Sequence, residues 1–182
     1  VTIELLDVND NPPHFNHSVY ALELIENFPI DFDVLKLVVK DPDTTGSFLL
    51  SITSGNDGTF TVSDSGILSL RNHLDRERMP RYNLHLSAFD GVHSATAMVQ
   101  INILDINDNV PKFNKSIYTF DLLEDLPINS TIGSILAQDP DDGPNGTVSY
   151  HLLTDWGKDV FHLDPRTGTF TLKSSLDFEQ VC

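Results

Sequence analysis

A chain of 182 residues, 40% of them hydrophobic, can build one large or two small cores, since single domains usually run about 100–150 residues. Eleven Lys and Arg stand against 27 Asp and Glu, a formal net charge of −16, which excludes nucleic acid as a partner because its phosphates demand Lys and Arg. The single cysteine, Cys182, rules out a disulfide framework or a Cys-based zinc site, and no apolar run approaches the roughly 18 residues of a membrane span.

The chain opens on Val1-Thr2-Ile3-Glu4-Leu5-Leu6, which reads as a strand and not as a secretory leader. If a parent protein is secreted or anchored, its leader and anchor lie outside this chain. Next comes Asp7-Val8-Asn9-Asp10-Asn11, and it returns as Asp105-Ile106-Asn107-Asp108-Asn109, 98 residues later. The same offset carries Pro13 to Pro111, Phe15 to Phe113, Tyr20 to Tyr118, Glu26 to Glu124, Asp41 to Asp139 and Asp43 to Asp141. By Asp75 and Glu77, which map to Asp177 and Glu179, the offset has grown to 102. A four-residue loop insertion in the second copy accounts for the change.

A repeat near 100 residues is a domain, and its pattern is β. Tyr82, Leu84, Leu86 and Ala88 alternate with polar neighbours, as do Ala97, Val99, Ile101 and Ile103; each set predicts a half-buried strand. Tyr118, Phe120 and Leu122 predict a further strand over 118–122. Asn56-Asp57-Gly58 and Asp64-Ser65-Gly66 mark turns, and no stretch reads as helix. About seven short strands per 100 residues indicate an immunoglobulin-like Greek-key sandwich, here an all-β tandem with its second copy truncated. Residues 1–11 read as the last strand and joint of a preceding repeat, 12–110 as a complete repeat, and 111–182 as a repeat lacking its last two strands. Its core is therefore expected to lie open on that side.

Asp105-Ile106-Asn107-Asp108-Asn109 puts four oxygen-bearing side chains in five residues. Calcium takes six to eight oxygens at about 2.3–2.6 Å, and extended backbone throws neighbouring side chains to opposite sides, so one linker can feed ions on both sides while Pro111 limits its freedom. An ordinary polar turn would explain one such segment, but not two at a fixed spacing. An EF-hand fails, because it needs Glu at the twelfth loop position. Counting from Asp41 the twelfth residue is Ile52, and from Asp139 it is Tyr150.

Taken in order, the linker motif followed by Pro and Phe, Ile25-Glu26-Asn27, Leu74-Asp75-Arg76-Glu77, Ala88-Phe89-Asp90-Gly91 and Asp139-Pro140-Asp141-Asp142-Gly143-Pro144-Asn145-Gly146 resemble the calcium motifs of cadherin extracellular repeats. The resemblance covers the whole chain and implies three calcium ions per joint. For the middle joint it implies Glu26, Asp75 and Glu77 from the first repeat, and Asp105, Asn107 and Asp108 with the carbonyls of Ile106 and Asn109 from the linker. Asp139, Asp141 and the carbonyl of Asn145 come from the second repeat. At the first joint Asp7, Asn9, Asp10 and Asn11 meet Asp41, Asp43 and Asp90, with Ser47 standing where Asn145 stands in the other copy. One ion held by Asn9, Asn11, Asp41, Asp43 and Asp90 is expected there. Glu124, Asp177 and Glu179 belong to a third joint whose linker is absent, as is the second repeat's equivalent of Asp90.

The resemblance also implies a calcium-dependent cell–cell adhesion ectodomain on the extracellular side of the plasma membrane at cell junctions. Its partners would be other cadherin ectodomains, its parent a single-pass membrane protein, and it would not be an enzyme. The alternative is a run of spacer repeats in a very long cadherin of the Fat, Dachsous or protocadherin kind. The amino-terminal tryptophan that short adhesive cadherins exchange has no counterpart here, and Trp156 is expected in a loop or core role. Sequons at Asn16, Asn114 and Asn129 suggest glycosylation, while one at Asn145 would crowd a calcium site. The seven histidines show no zinc-binding pairing.

Overall fold

Strict alternation along 81–104 dictates the largest sheet. A computed structural model describes residues 2–43 and 48–181, so Ser47 and Cys182 lie outside the described residues. The chain divides into two compact units, Val1–Ile106 and Asn107–Cys182.

The first unit runs β1 (His14–Phe15), β2 (Val19–Ile25), β3 (Asp33–Lys36), β4 (Val39–Lys40), β5 (Leu49–Ser54), β6 (Phe60–Val62), β7 (Ile67–Leu70), β8 (Arg81–Phe89) and β9 (Ser94–Leu104). A four-stranded sheet, β2-β9-β8-β5, faces a three-stranded one, β3-β7-β6, and β1 pairs with β4. β2 runs parallel to β9, and the other pairs are antiparallel. Because side chains alternate across a strand, the residues singled out by periodicity all point into the core. Leu84 and Leu86 of β8 and Val99 and Ile101 of β9 pack with Leu68 and Leu70 of β7, Phe60 and Leu37. Each such side chain contributes roughly 1.5–3 kcal/mol. The Asn56–Gly58 and Asp64–Gly66 turns join β5 to β6 and β6 to β7, with left-handed backbone at Gly58 and Gly66.

The second unit runs β10 (Lys112–Phe113), β11 (Thr131–Ser134), β12 (Ala137–Gln138), α1 (Asp155–Val160), β13 (Phe161–Leu163), β14 (Thr169–Leu172) and α2 (Phe178–Val181). It forms the β11-β14-β13 sheet and the β10-β12 pair, so it repeats the smaller sheet and the first-strand pair. The register repeats too: His14 lies opposite Lys40, and Lys112 opposite Gln138.

Three sequence expectations are corrected here. Residues 118–122 form no strand. In the first unit the corresponding β2 pairs with β9, and among the described residues of the second unit no strand follows β14 to take the place of β8 or β9. Without a partner, backbone N–H and C=O groups turn to water, and Phe120, Leu123 and Leu153 stay exposed. Residues 2–11 likewise form no strand, and Ile3, Leu5 and Leu6 are exposed. The third correction is α1, which falls between Asp141, at offset 98, and β14, at offset 102, where the second copy carries its extra residues. It places Trp156 on the surface at 57% exposure, edge-on against Phe161, and not in a core.

Candidate metal centre

In the first unit, the amino-terminal acids converge through backbone and amide donors. The Asn11 N–H donates to Asp43 Oδ2 at 2.9 Å, and its side-chain amide donates to Asp43 Oδ1 at 2.7 Å and Asp10 Oδ1 at 2.8 Å. The Asp43 N–H in turn donates to Asp41 Oδ1 at 3.0 Å. Asn9 donates to the Asp90 carbonyl at 3.3 Å, and its Oδ1 lies 3.3 Å from His93 Nδ1. Asp90 Oδ1 accepts the N–H groups of Val92 and His93 at 2.7 and 2.6 Å. Burial opposes the charge on Asp90, but these donors outweigh it and hold its carboxyl below the usual carboxylate value.

Two oxygens in this set stand out. Asp41 Oδ2 and Asp90 Oδ2 are buried without a hydrogen-bond partner; His93 Nδ1 sits 3.4 Å from the latter, beyond a good hydrogen bond. An unmet buried polar atom costs roughly 1–3 kcal/mol, more when charged, and calls for an unseen partner such as an ion. The segment Asn9–Asn11 ties the Asp41–Asp43 and Asp90 clusters together. Its donor chemistry is all oxygen apart from His93, which suits a hard cation such as calcium. The Asn11 NH2 group is committed as a donor that orients Asp43, which leaves its side-chain Oδ1 and its backbone carbonyl as oxygens to offer an ion.

The other end of the first unit holds a second group. Glu26 is buried at 3% exposure. Its two carboxylate oxygens accept the N–H groups of Arg76 at 2.9 Å and Ile106 at 2.8 Å, which pins the segment before β8 to the end of β9. Asp75 Oδ1 accepts the Arg78 N–H at 2.9 Å. Glu26 and Glu77 bring carboxylate oxygens within 4.8 Å of each other, and Glu77 and Asp105 do likewise. The Arg76 guanidinium pairs with both Glu77 and Asp105.

The second unit rebuilds the Asn11 arrangement atom for atom. The side-chain amide of Asn109 donates to Asp141 Oδ1 and Asp108 Oδ1, both at 2.8 Å, and its N–H donates to Asp141 Oδ2 at 3.3 Å. The Asp141 N–H donates to Asp139 Oδ1 at 3.1 Å. Asp141 is buried, Asn145 half-buried, and Asn107 exposed. At the far end the Phe178 N–H donates to Glu124 Oε2 at 3.2 Å, the counterpart of the Arg76–Glu26 bond. Glu124 is exposed where Glu26 is buried. Glu179 N–H donates to Asp177 Oδ1 at 3.1 Å.

Sequence reasoning missed two contributors, Arg76 and His93. Each had a signal in hindsight: Arg76 lies between two acids, and His93 follows Asp90 by three. The sequon residues Asn16, Asn114 and Asn129 are exposed.

Residues 20–104 and 118–181 match the family model described as Cadherin domain. Protocadherin Fat 4 of Homo sapiens is 38% identical over 182 residues, covering 98% of this chain and 4% of its own length. Cadherin EGF LAG seven-pass G-type receptor 1 of Mus musculus is 37% identical over 183 residues, covering 98% of this chain and 6% of its own length. Among solved structures, mouse Cadherin-23 EC22-24 superposes with a TM-score of 0.88 at 28% identity, over 96% of this chain and 57% of that one. Protocadherin Gamma B2 extracellular cadherin domains 1-5 superpose with a TM-score of 0.81 at 29% identity, over 97% of this chain and 35% of that one. The chain thus spans only a small part of these curated relatives.

Proposed function

Because this chain belongs to the cadherin family, we propose that it is part of a calcium-dependent cell–cell adhesion ectodomain in which ions at the joints between repeats stiffen the array. The repeats divide as 1–11, 12–110 and 111–182. At the middle joint the ligands are Glu26, Asp75, Glu77, Asp105, Asn107 and Asp108, with Asp139 and Asp141 and the carbonyls of Ile106, Asn109 and Asn145. The first joint keeps one ion near Asp41, Asp43 and Asp90. The third, at Glu124, Asp177 and Glu179, binds weakly or not at all.

The observation that carries this reading is the pair of buried, unmet carboxylate oxygens on Asp41 and Asp90. Electrostatics supplies the mechanism. Two carboxylates about 4 Å apart repel by about 4 kcal/mol at an effective dielectric of 20. Arg76 offsets part of that charge within the first unit; calcium supplies the remaining positive charge. Glu26 and Asn11 hold their neighbouring ligands in place by hydrogen bonds, so little rearrangement is needed when the ion arrives. Asn16, Asn114 and Asn129 carry glycans, and the parent is a single-pass membrane protein whose partners are other cadherin ectodomains.

A second reading, spacer repeats that supply reach and stiffness without making the contact, is favoured by the length of the relatives, of which this chain covers 4% to 6%. Beads coated with the chain separate the two: clumping that needs calcium supports a contact role. The calcium reading is tested by small-angle scattering with calcium and with EDTA. The chain should lose its defined maximum dimension when calcium is removed, and identical profiles in both buffers would sink the reading.

A further inference from the structure

The outward side of the four-stranded sheet carries a pattern that the calcium sites do not use. Cross-strand register sets Arg81, Asn102 and Glu23 in one row over β8, β9 and β2, and Asn83, Gln100 and Ala21 in the next. These side chains line a shallow trough of about 500 Å³. Among the described residues, none of the five polar side chains enters an internal hydrogen bond or ion pair. Solvation alone explains exposed polar groups on a sheet, but two further features do not follow from it. On a chain of net charge −16, copies repel over most of their surface, yet this patch is neutral, with one Arg and one Glu at its opposite rims. The row beyond it, His85, Met98 and Val19, adds apolar surface, with Val19 47% exposed.

We propose that this face docks on the same face of a second copy of the chain, about a two-fold axis running along β9. Such an axis exchanges β8 with β2. It sets Arg81 of each copy over Glu23 of the other, so both ion pairs form at once, as an isologous interface requires. Asn102 and Gln100 lie on the axis and meet their own counterparts. An amide is both donor and acceptor, so it can face itself directly or through water in the trough. Asn83 stands over the small Ala21, Met98 over Met98, and His85 over Val19. The other in-plane axis, across the strands, would set Arg81 on Arg81 and Glu23 on Glu23. Charge therefore selects the arrangement in which the strands of the two copies run the same way, as in two molecules on one membrane. Only that last step rests on the reading of the chain as an anchored ectodomain.

The footprint predicts a weak contact. β9 has 11 residues, or about 35 Å at 3.3 Å per residue, and the three strands that the axis superimposes, β8, β9 and β2, span about 14 Å. That gives about 500 Å² per copy, well below the roughly 800 Å² of a standard stable interface. Dense display on a surface would strengthen it by raising the effective concentration.

Charge exchange tests the contact. Sedimentation of the 182-residue chain is measured in calcium for the unmodified protein, Arg81→Glu, Glu23→Arg, the double variant, and an equal mixture of the two single variants. The unmodified chain should dimerise with rising concentration. Each single variant should lose at least tenfold in association constant, and both the double variant and the mixture should recover it. Overlaid circular dichroism melts establish that the variants are folded, as expected for exposed positions. Lack of association by the unmodified chain, single variants that associate normally, or a double variant and mixture that fail to recover would each overturn the proposal. The series is repeated in EDTA. Because the face lies within one unit, the charge-exchange pattern should survive there. A pattern that survives while scattering shows no calcium effect overturns the calcium reading alone; calcium-dependent scattering with charge-insensitive association overturns the docking alone.

Discussion

The single residue with most leverage on the metal centre is the second asparagine of each linker, Asn11 or Asn109. The resemblance implies a ligand at this position, through the backbone carbonyl at Asn109, and the hydrogen bonds add an orienting role: the residue holds one oxygen of Asp43 or Asp141 with its amide and the other with its backbone N–H. Loss of a side chain that orients a metal ligand typically costs 10–100-fold in affinity. Asn11→Ala should therefore weaken the amino-terminal calcium site about tenfold by calorimetry, while the melting temperature in EDTA barely moves. An equal loss of affinity and of calcium-free stability would mean that Asn11 is merely structural. That acids recur at a fixed spacing was legible in the sequence, because a repeated Asp/Asn cluster is a strong pattern. Which oxygen each acid leaves free was not, since that depends on donors far along the chain, such as the Asn11 N–H on Asp43.

Elements close the repeat through a shared device. The N–H of Leu37 donates to the Gly66 carbonyl at 2.7 Å, and that of Ile135 to the Gly168 carbonyl at 2.9 Å. Both glycines have positive φ, and a Cβ would meet the Leu37 or Ile135 carbonyl oxygen at 2.5 or 2.4 Å. Gly66→Ala therefore combines backbone strain with a clash against main chain, costing more than about 1 kcal/mol. For a unit of this size it should lower the melting temperature by at least about 4–8 °C, and an unchanged calorimetric melt would show that the turn can relax. Asp64-Ser65-Gly66 is readable as a turn because only glycine is at ease there. Whether 118–122 becomes a strand is not readable from its own residues, although Tyr118, Phe120 and Leu122 alternate as well as Tyr20, Leu22 and Leu24 do. A strand is half of a pair, and periodicity reports a face without reporting a partner.

At the scale of the whole molecule, the two units differ in completeness. The first buries Leu68, Leu70, Leu84, Val99 and Ile101 completely. The second leaves Ile117, Phe120, Leu123 and Leu153 exposed over a sheet with unpaired edges, the condition that invites strand pairing and cleavage. Limited proteolysis should cut within 107–182 well before 12–106, and the released first unit should keep its melt. Equal resistance of the two would mean that the second unit closes its core in a way that its exposed residues do not reveal.

The sequence by itself determined the repeat, its β character, the core residues of β8 and β9 and the recurrence of the acids, because these follow from local period and spacing. Tertiary structure alone decided which predicted strands exist, that the second unit carries the short helix α1 before β13, and that Arg76 enters the acidic cluster as a counter-charge. It alone sets Arg81 and Glu23 at opposite rims of one face. Each of these depends on residues far apart in the chain being brought together, and spacing along the sequence carries no information about which distant group will supply the partner.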